Sequence, residues 1–364
     1  MRIAAALLIT GAALAADGSR IDAIFAPLVE GKSPGCAVLV RQSGSTVFER
    51  GYGVRDLRSM APIRGDTDFR LASFTKQFTA MAAMLLVNDG KLRYDETLPE
   101  IFPGFPAYGR AITVRHLLTH TSGLPDYEDL MDGGRWSETR QIQDDEVLAL
   151  LENQSAGRFA PGTSWAYSNS GYVLLGLTVA KASGMPFGEF LKRRIFAPLH
   201  MDRTLAFRQG KNTVPNRALG YSKGSQGFGE TDQSSTSATL GDGGVYSNLD
   251  DLAKWDEALA QHTLLPESKM APALTSVKLA NGGPTVWPVG GDGEGKPGMP
   301  VEYGFGWFLD AYHGRQRMWH YGSTRGFSTA IERFPEERLT IVVLCNRTDL
   351  DAGKLALQVA DLFR

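Results

Sequence analysis

The chain has 364 residues, of which 43% are hydrophobic, and a formal net charge of -2. A chain of this length can bury a large core and allows two or three domains or one interleaved unit. The near-balanced charge contains no polybasic signature, which argues against nucleic acid as a partner.

The first fifteen residues have the pattern of an export signal. One Arg precedes an apolar run from Ile3 to Ala15, and Ala13-Leu14-Ala15 fits a small-x-small cleavage site. The run is too short to favour a transmembrane helix, and no second span follows. We therefore expect residues 1–15 to be a signal peptide, an exported protein (periplasmic or secreted), and no transmembrane span once the signal is removed. The alternative is an N-terminal core helix.

Two cysteines remain, Cys36 and Cys345. In an exported chain they can form one disulfide, but two separate buried thiols fit the residues as well. The sequence by itself leaves the two alternatives open.

The predicted elements begin with helical spacing at Ile21, Ile24, Phe25 and Leu28. Two strands, "CAVLVRQ" and "STVFERGYG", then form a hairpin around Ser43-Gly44. The next element is a helix over 74–90, whose apolar residues on all sides predict that it is buried all round. Further helices are predicted near 113–119, 143–152, 170–183, 186–197 and 249–261.

The Gly- and Pro-rich residues 281–300 predict a long surface loop, either functional or a plain flexible insertion. After it the pattern returns to strands, in "YGFGWFLD", "RQRMWHYG", "FSTAIERF" and "RLTIVVLCN", followed by a helix near 351–362. Strands at both ends therefore flank a helical middle.

This order predicts an α/β (α+β) fold with one antiparallel sheet built from both termini and covered by helices. We expect residues 19–80 and 285–364 to form this sheet domain and residues 81–284 a mainly helical lobe. The active site is expected in the cleft between them.

"LASFTKQF" opens the helix predicted at 74–90 and places Lys76 three residues after Ser73. An N-cap Ser is the ordinary interpretation, but a capping box would have Glu or Gln at position 76. Residues three apart share one face of a helix, so the lysine amine can reach the serine hydroxyl. Burial by Phe74 and Phe78 would favour a neutral lysine, able to accept the serine proton, and the helix start would offer the Ser73 N–H to an oxyanion.

Two further segments carry candidate residues. In "WAYSNSGY", Tyr167 can relay a proton and Asn169 can orient a substrate, although a core ring and an N-cap are the ordinary roles for these residues. In "WHYGSTRGF", a strand ends in His320-Tyr321-Gly322 and turns at "GSTRG", and Gly322 would let a ligand backbone approach closely. The ordinary interpretation of this second segment is a hairpin turn with a surface His.

Together, Ser-x-x-Lys at 73–76, Tyr-x-Asn at 167–169 and His-x-Gly at 320–322 resemble the motifs of the serine β-lactamase and penicillin-binding protein superfamily. "FRLASFTKQFTA", "HLLTHTSGLPDY" and "GGVYSNLDDLAKW" are similar to the branch with class C β-lactamases, D-alanyl-D-alanine carboxypeptidases and family VIII carboxylesterases. The resemblance covers about residues 20–360.

The resemblance implies a β-lactamase/transpeptidase-like fold with an α/β domain and a helical lobe. It implies Ser73 as the nucleophile, with Lys76 and Tyr167 sharing the role of general base. Asn169 would contact the acyl side chain, and the N–H groups of Ser73 and Ser323 would form the oxyanion hole. No metal or organic cofactor is implied. The first strand would lie beside the last, which makes a Cys36–Cys345 disulfide more plausible.

One residue departs from the class C pattern, which has Lys where this chain has His320. A histidine is largely neutral near neutral pH, so it offers less charge to a substrate carboxylate. Arg325 on the adjoining turn is the alternative source of charge. We therefore expect an exported serine hydrolase acting on a small ester or D-amino-acid peptide, with weak β-lactamase activity. The alternative is a penicillin-binding sensor that is acylated without turnover.

Two other patterns carry less weight. His116 and His120 have the spacing of two zinc ligands on a helix, but Leu117 stands where the zinc-protease motif needs Glu. Capping and buried hydrogen bonds are the favoured roles for both histidines. Tryptophans 165, 307 and 319 fit either a substrate cleft or core packing.

Overall fold

The structure, a computed structural model, describes residues 18–29, 32–131, 134–289 and 295–363. The predicted signal peptide over 1–15 lies outside the described residues, and so do residues 290–294 of the predicted loop. Within the described ranges, no helix combines the length and the apolar character needed to cross a membrane. The division into a sheet domain and a helical lobe remains a prediction.

The described strands are β1 Cys36–Gln42, β2 Ser45–Tyr52, β3 Val54–Asp56, β4 Ala61–Pro62, β5 Phe69–Arg70, β6 Leu205–Ala206, β7 Tyr221–Gly224, β8 Gly227–Glu230, β9 Val245–Ser247, β10 Phe308–Tyr312, β11 Arg315–Thr324, β12 Phe327–Phe334 and β13 Leu339–Cys345. The described α-helices are α1 (residues 18–25), α2 Lys76–Asn88, α3 Leu98–Ile101, α4 Val114–Leu118, α5 Tyr127–Leu130, α6 Asp144–Glu152, α7 Asn169–Ser183, α8 Phe187–Leu191, α9 Leu249–Ala260, α10 Glu267–Met270 and α11 Ala352–Ala360.

The main sheet has six strands in the order β10-β11-β12-β13-β1-β2, and each neighbouring pair is antiparallel. It is built from both ends of the chain, as predicted. The first strand lies beside the last, with Cys36 opposite Cys345, and these two residues form a disulfide. The structure thus selects the disulfide from the two alternatives that the sequence left open.

Helices cover both faces of this sheet. Val38 and Val40 of β1 face the side covered by α1 and α11, whereas Ala37 and Leu39 join the larger core with α2. Successive strand residues point to opposite faces, so a strand covered on both sides needs apolar residues throughout. This explains the unbroken apolar run of β1.

Helix α2 carries the candidate lysine into the larger core. Its residues are buried from Lys76 to Leu86, which confirms the predicted burial on all sides. The predicted start at residue 74 is wrong, because a 3-10 turn over Ala72–Thr75 precedes the α-helix. Ser73 therefore lies inside this turn and is not an N-cap.

Two other boundaries and the content of the helical middle differ from the prediction. The strand expected from 303 begins only at Phe308, because the preceding residues form a turn in which Gly306 has a φ of +77°. The helix expected over 186–197 is α8 followed by a π-helical turn, Lys192–Phe196. The helical middle also contains short strands, and β5, β9 and β6 form a small sheet beside the candidate site.

Candidate functional site

The side chain of Lys76 joins the first two predicted motifs. Its Nζ donates to Ser73 Oγ at 3.1 Å, to Asn169 Oδ1 at 2.8 Å and to the backbone oxygen of Asp242 at 3.0 Å. The lysine has no exposed surface. Three acceptors therefore surround an amine that can donate three hydrogen bonds when it is protonated.

The rings that cover this amine are not those expected from the sequence. Nζ lies 4.8 Å from the ring centroid of Tyr167 and 5.4 Å from that of Tyr172. The expected Phe74 and Phe78 stack on each other instead, and the ring of Phe78 also contacts that of Trp255. The prediction of a buried lysine is confirmed, but α7 and the segment before it supply the described ring contacts.

Burial is the main cause of a lowered pKa at Lys76. It lowers the pKa from 10.5 to about 8, and the carboxylates of Asp242, Asp126 and Glu128 oppose the change. A buried ammonium loses its hydration, which favours the neutral amine. The neutral form is therefore accessible near neutral pH.

Tyr167 lies between the lysine and the third motif. Burial raises the pKa of its hydroxyl well above 10, and the neighbouring Ser73 hydroxyl partly opposes this rise. The Tyr167 hydroxyl has no hydrogen-bond partner of good geometry among the described residues. A phenol with a raised pKa stays protonated at neutral pH, so here it is suited to donate or relay a proton.

Helix α7 begins at Asn169, but Asn169 is not its cap. Ser168 is the N-cap, and its Oγ accepts a hydrogen bond from the Gly171 N–H at 3.0 Å. The N-cap interpretation of Asn169 is therefore wrong. Because Ser168 caps the helix, the Asn169 carboxamide can turn toward Lys76.

His320 of β11 is brought to the same region but carries no charge. Its ring centroid is 6.2 Å from that of Tyr167, and the residue is 1% exposed. Nε2 is 3.2 Å from the Tyr303 hydroxyl, and Nδ1 is 2.7 Å from the backbone oxygen of Tyr321. Burial, helped by the charge of Lys76, lowers the pKa of His320 to about 3. Both nitrogens are thus already hydrogen-bonded within the protein.

Gly322 permits a close approach, but the group that approaches is the protein's own backbone. A Cβ at this position would lie 2.0 Å from the backbone oxygen of Leu71. Thr329 Oγ1 donates to the same oxygen at 2.7 Å. These contacts fix β11 against the turn that carries Ser73. Ser323 is the next residue of this strand, and its role in an oxyanion hole stays a prediction.

Arg325 follows on the hairpin turn after β11. Its guanidinium pairs with Glu138 Oε1 at 2.7 Å, and the two side chains are 47% and 56% exposed. Its charge is therefore partly compensated at the surface. The structure does not join Arg325 to the hydrogen bonds around Lys76.

Two residues of the site were not predicted as such. The sequence could not identify the Asp242 carbonyl as an acceptor, because every residue has a carbonyl; the glycines of "GDGG" around it were the available signal. The sequence favours capping or a buried hydrogen bond for His120, but it does not indicate which group the imidazole contacts. Its Nδ1 accepts from the Ser168 N–H at 3.0 Å, and His116 completes a capping box with Thr113. The favoured roles of capping and buried hydrogen bonding are confirmed.

The described residues contain no group of three or more His, Cys, Asp or Glu side chains that could hold a metal ion. Trp165, Trp307 and Trp319 are 1%, 2% and 8% exposed, which supports their role in core packing.

Comparisons with known proteins agree with this geometry. The family model described as Beta-lactamase matches residues 21–362. The chain is 31% identical to penicillin-binding protein 4* of Bacillus subtilis over 90% of this chain and 72% of that protein. It is 27% identical to a D-aminopeptidase of Gluconobacter oxydans over 86% of this chain, but spans only 56% of that enzyme.

Among solved structures, the D-amino acid amidase of Ochrobactrum anthropi SV3 superposes with a TM-score of 0.79 at 25% identity, covering 95% of this chain and 98% of that one. The octameric penicillin-binding protein homologue from Pyrococcus abyssi gives a TM-score of 0.76 at 25% identity, covering 100% and 77%. The chain belongs to the β-lactamase family and has the β-lactamase/transpeptidase-like fold. It is a serine hydrolase of the β-lactamase and penicillin-binding protein type.

Proposed function

We propose that this protein is an exported hydrolase that cleaves small esters and D-amino-acid amides or peptides through an acyl-enzyme on Ser73. The observation that carries the proposal is the buried Lys76 amine, which is hydrogen-bonded to the Ser73 hydroxyl and has a pKa of about 8. A nucleophilic serine needs a base of this kind within hydrogen-bond reach.

The three acceptors around Lys76 explain why the serine would be the proton donor. An ammonium donates to all three, but a neutral amine has two N–H groups and one lone pair. Two acceptors are carbonyl oxygens, of Asn169 and Asp242, which cannot donate. Only the Ser73 hydroxyl can reverse its hydrogen bond and direct its proton to Nζ.

Acylation then proceeds by a balanced transfer. Ser73 Oγ forms a bond to the substrate carbonyl carbon while its proton moves to Nζ of Lys76, and the carbonyl oxygen becomes an oxyanion. The N–H groups of Ser73 and Ser323 are the proposed donors to this oxyanion. When the intermediate collapses, the bond to the leaving oxygen or nitrogen breaks. Tyr167 gives its proton to the leaving group and regains one from Lys76.

Deacylation follows the same steps with water as the nucleophile. The water oxygen forms a bond to the acyl carbon, its proton passes to the amine of Lys76, and the ester bond to Ser73 breaks. Ser73 recovers a proton, and the carboxylic acid is released. No co-reactant other than water is needed.

The charges of the site favour a substrate with an amino group. The carboxylates of Asp242, Asp126 and Glu128 act on Lys76, whereas His320 is neutral. Asp242 is 6% exposed; its Oδ2 accepts from the Tyr127 hydroxyl, and its Oδ1 has no hydrogen-bond partner among the described residues. The negative potential suits the ammonium of an amino acid amide. The similarity to a D-aminopeptidase and a D-amino acid amidase supports the D-configuration.

The same charges argue for weak hydrolysis of β-lactams, which carry a carboxylate. Neither His320 nor Arg325 offers an uncompensated cation to it.

Export is supported by the Cys36–Cys345 disulfide, since disulfides persist mainly in oxidising compartments.

The experiment mixes purified protein with p-nitrophenyl butyrate, with the p-nitroanilides of D- and L-alanine, and with a chromogenic cephalosporin, and follows each by turnover and intact mass. We expect sustained hydrolysis of the ester and the D-anilide, with little of the L-anilide or cephalosporin. Lys76→Ala should lower acylation by about 10²–10⁴, the usual contribution of a general base. Ser73→Ala is the control that cannot form the adduct.

A stoichiometric adduct on Ser73 without turnover would replace the hydrolase with the penicillin-binding sensor. Near-normal activity of a folded Lys76→Ala protein would remove the lysine as base. Preference for the L-anilide would overturn the proposed substrate class.

A further inference from the structure

His120 lies in a strained backbone conformation directly after α4. Its φ is +59°, in the left-handed region that non-glycine residues rarely occupy, although His and Asn occur there more often than most. The residue has no exposed surface. Strain of this kind persists only where surrounding contacts enforce it.

The contacts of His120 lie on both sides of Tyr167. The backbone oxygen of His120 accepts from the Ala166 N–H at 3.0 Å, and its Nδ1 accepts from the Ser168 N–H at 3.0 Å. The imidazole centroid is 4.4 Å from that of Tyr167. One histidine thus holds the residues before and after the tyrosine and also packs on its ring.

The hydrogen bond to Ser168 fixes the tautomer. Because Nδ1 accepts, the ring proton of the neutral imidazole is on Nε2, which has no hydrogen-bond partner among the described residues. Burial lowers the pKa of His120 well below 6.5. A protonated ring would direct an Nδ1–H at the Ser168 N–H, so the contact itself requires the neutral form.

We propose that His120 is a positioning residue that sets the place of the Tyr167 hydroxyl and the Asn169 carboxamide relative to Lys76. The Tyr167 hydroxyl lies near that of Ser73 but makes no hydrogen bond of good geometry among the described residues, so packing and the backbone on either side largely determine where it points. Asn169 immediately follows Ser168, whose N–H the imidazole holds. This inference rests on the proposed role of Tyr167 in delivering a proton.

If His120 positions Tyr167, the activity lost when His120 is replaced should depend on the leaving group of the substrate. Nitrophenolate leaves readily without a proton, whereas an amide nitrogen or an alkoxide needs one as the bond breaks. If His120 acts through Tyr167, its loss must slow the cleavage of amides and alkyl esters more than that of nitrophenyl esters. General loss of structure would slow all of these substrates equally.

The test compares His120→Ala, His120→Asn and Tyr167→Phe on D-alanine p-nitroanilide and p-nitrophenyl butyrate. In asparagine Oδ1 is bonded to Cγ, as Nδ1 is in histidine, so it can accept the hydrogen bond from the Ser168 N–H. Asparagine also tolerates a positive φ. We expect His120→Ala to lower kcat/KM for the anilide by about 10–100-fold, but for the nitrophenyl ester by less than about threefold. His120→Asn should recover most of the anilide activity.

Two controls separate positioning from folding. Val359→Ala removes a buried side chain from the cluster on the far face of the sheet and should leave the ratio of the two activities unchanged. In the His120→Ala, Tyr167→Phe double variant, we expect no loss of anilide activity beyond that of Tyr167→Phe, because both substitutions remove the same function. The melting temperature of each variant is measured alongside.

Equal losses on both substrates, additive losses in the double variant, or an Asn variant no better than Ala would each overturn the inference. If the wild type does not cleave the anilide, the proposed amidase activity fails. Ethyl butyrate, which also has a poor leaving group, then takes its place in the same comparison. The role of His120 is thereby tested separately.

Discussion

The acid limb of the pH–rate profile depends on the protonation of Lys76, and Asp242 provides the perturbation that tests it. Among the charges that raise the pKa of Lys76, the Asp242 carboxylate is the strongest, and burial outweighs it to leave a pKa of about 8. Asp242→Asn removes this charge at nearly constant shape. The pKa of Lys76 should therefore fall, and the acid limb should move to lower pH.

The pKa of Lys76 determines what fraction of the wild-type lysine is neutral, and therefore active as a base, at each pH. With a value of about 8, about one lysine in ten is neutral at about pH 7 and about one in a hundred at about pH 6. An ordinary lysine with a pKa of 10.5 would be neutral about 300-fold less often at about pH 7. The acylation rate should accordingly fall about tenfold for each pH unit below about pH 8.

The assay measures kcat/KM for p-nitrophenyl butyrate from about pH 5.5 to about pH 9.5, because this ratio reports groups of the free enzyme. Asp95→Asn is the control, since Asp95 is a surface carboxylate with an 86% exposed side chain. A limb that stays in place in Asp242→Asn would refute the electrostatic reasoning. A value of kcat/KM that is still rising tenfold per pH unit at about pH 9.5 would instead indicate an unperturbed lysine or the phenol of Tyr167 as the base.

Three further outcomes are expected. Gly322→Ala should lower the free energy of unfolding by about 2–3 kcal/mol in chemical denaturation and lower acylation, because its Cβ would lie 2.0 Å from the Leu71 oxygen; wild-type stability would contradict this. His320→Lys should raise the ratio of cephalosporin to butyrate hydrolysis about fivefold, the effect of ~1 kcal/mol from one charge contact, and an unchanged ratio would remove residue 320 from recognition. Replacing Cys36 and Cys345 by Ala should cost about 3–5 kcal/mol of unfolding free energy, since the disulfide closes a long loop, and a Cys-to-Ala protein that melts like the wild type would argue against a stabilising bridge.

The parts of the site that the sequence predicted are those set by short-range geometry. Ser73 and Lys76 are three residues apart, and both helical and 3-10 backbone place them within reach of each other. The pairing of β1 with β13 followed from the resemblance, and the alternating faces of β1 explain its apolar composition. These features depend on local spacing or on the family topology.

The remaining parts depend on long-range packing. The contacts of Tyr167 and Tyr172 with the lysine depend on how α7 lies against α2, which residue spacing within α2 cannot reveal. The carbonyl of Asp242 and the imidazole of His120 reach the site from distant segments. A backbone carbonyl has no signature in the sequence, and the buried hydrogen bond expected for His120 could not be assigned to Ser168 from residue spacing.

Asp242 links the base of the site to its proposed substrate class, and its two effects oppose each other. Its charge raises the pKa of Lys76 and so decreases the fraction of neutral base at about pH 7. The same charge would attract the ammonium of a D-amino acid amide. Asp242→Asn should therefore increase kcat/KM for the uncharged butyrate ester at this pH and decrease it for D-alanine p-nitroanilide. Changes by the same factor for both substrates would show that the carboxylate does not discriminate between them, and the ammonium would then have to be bound by other groups.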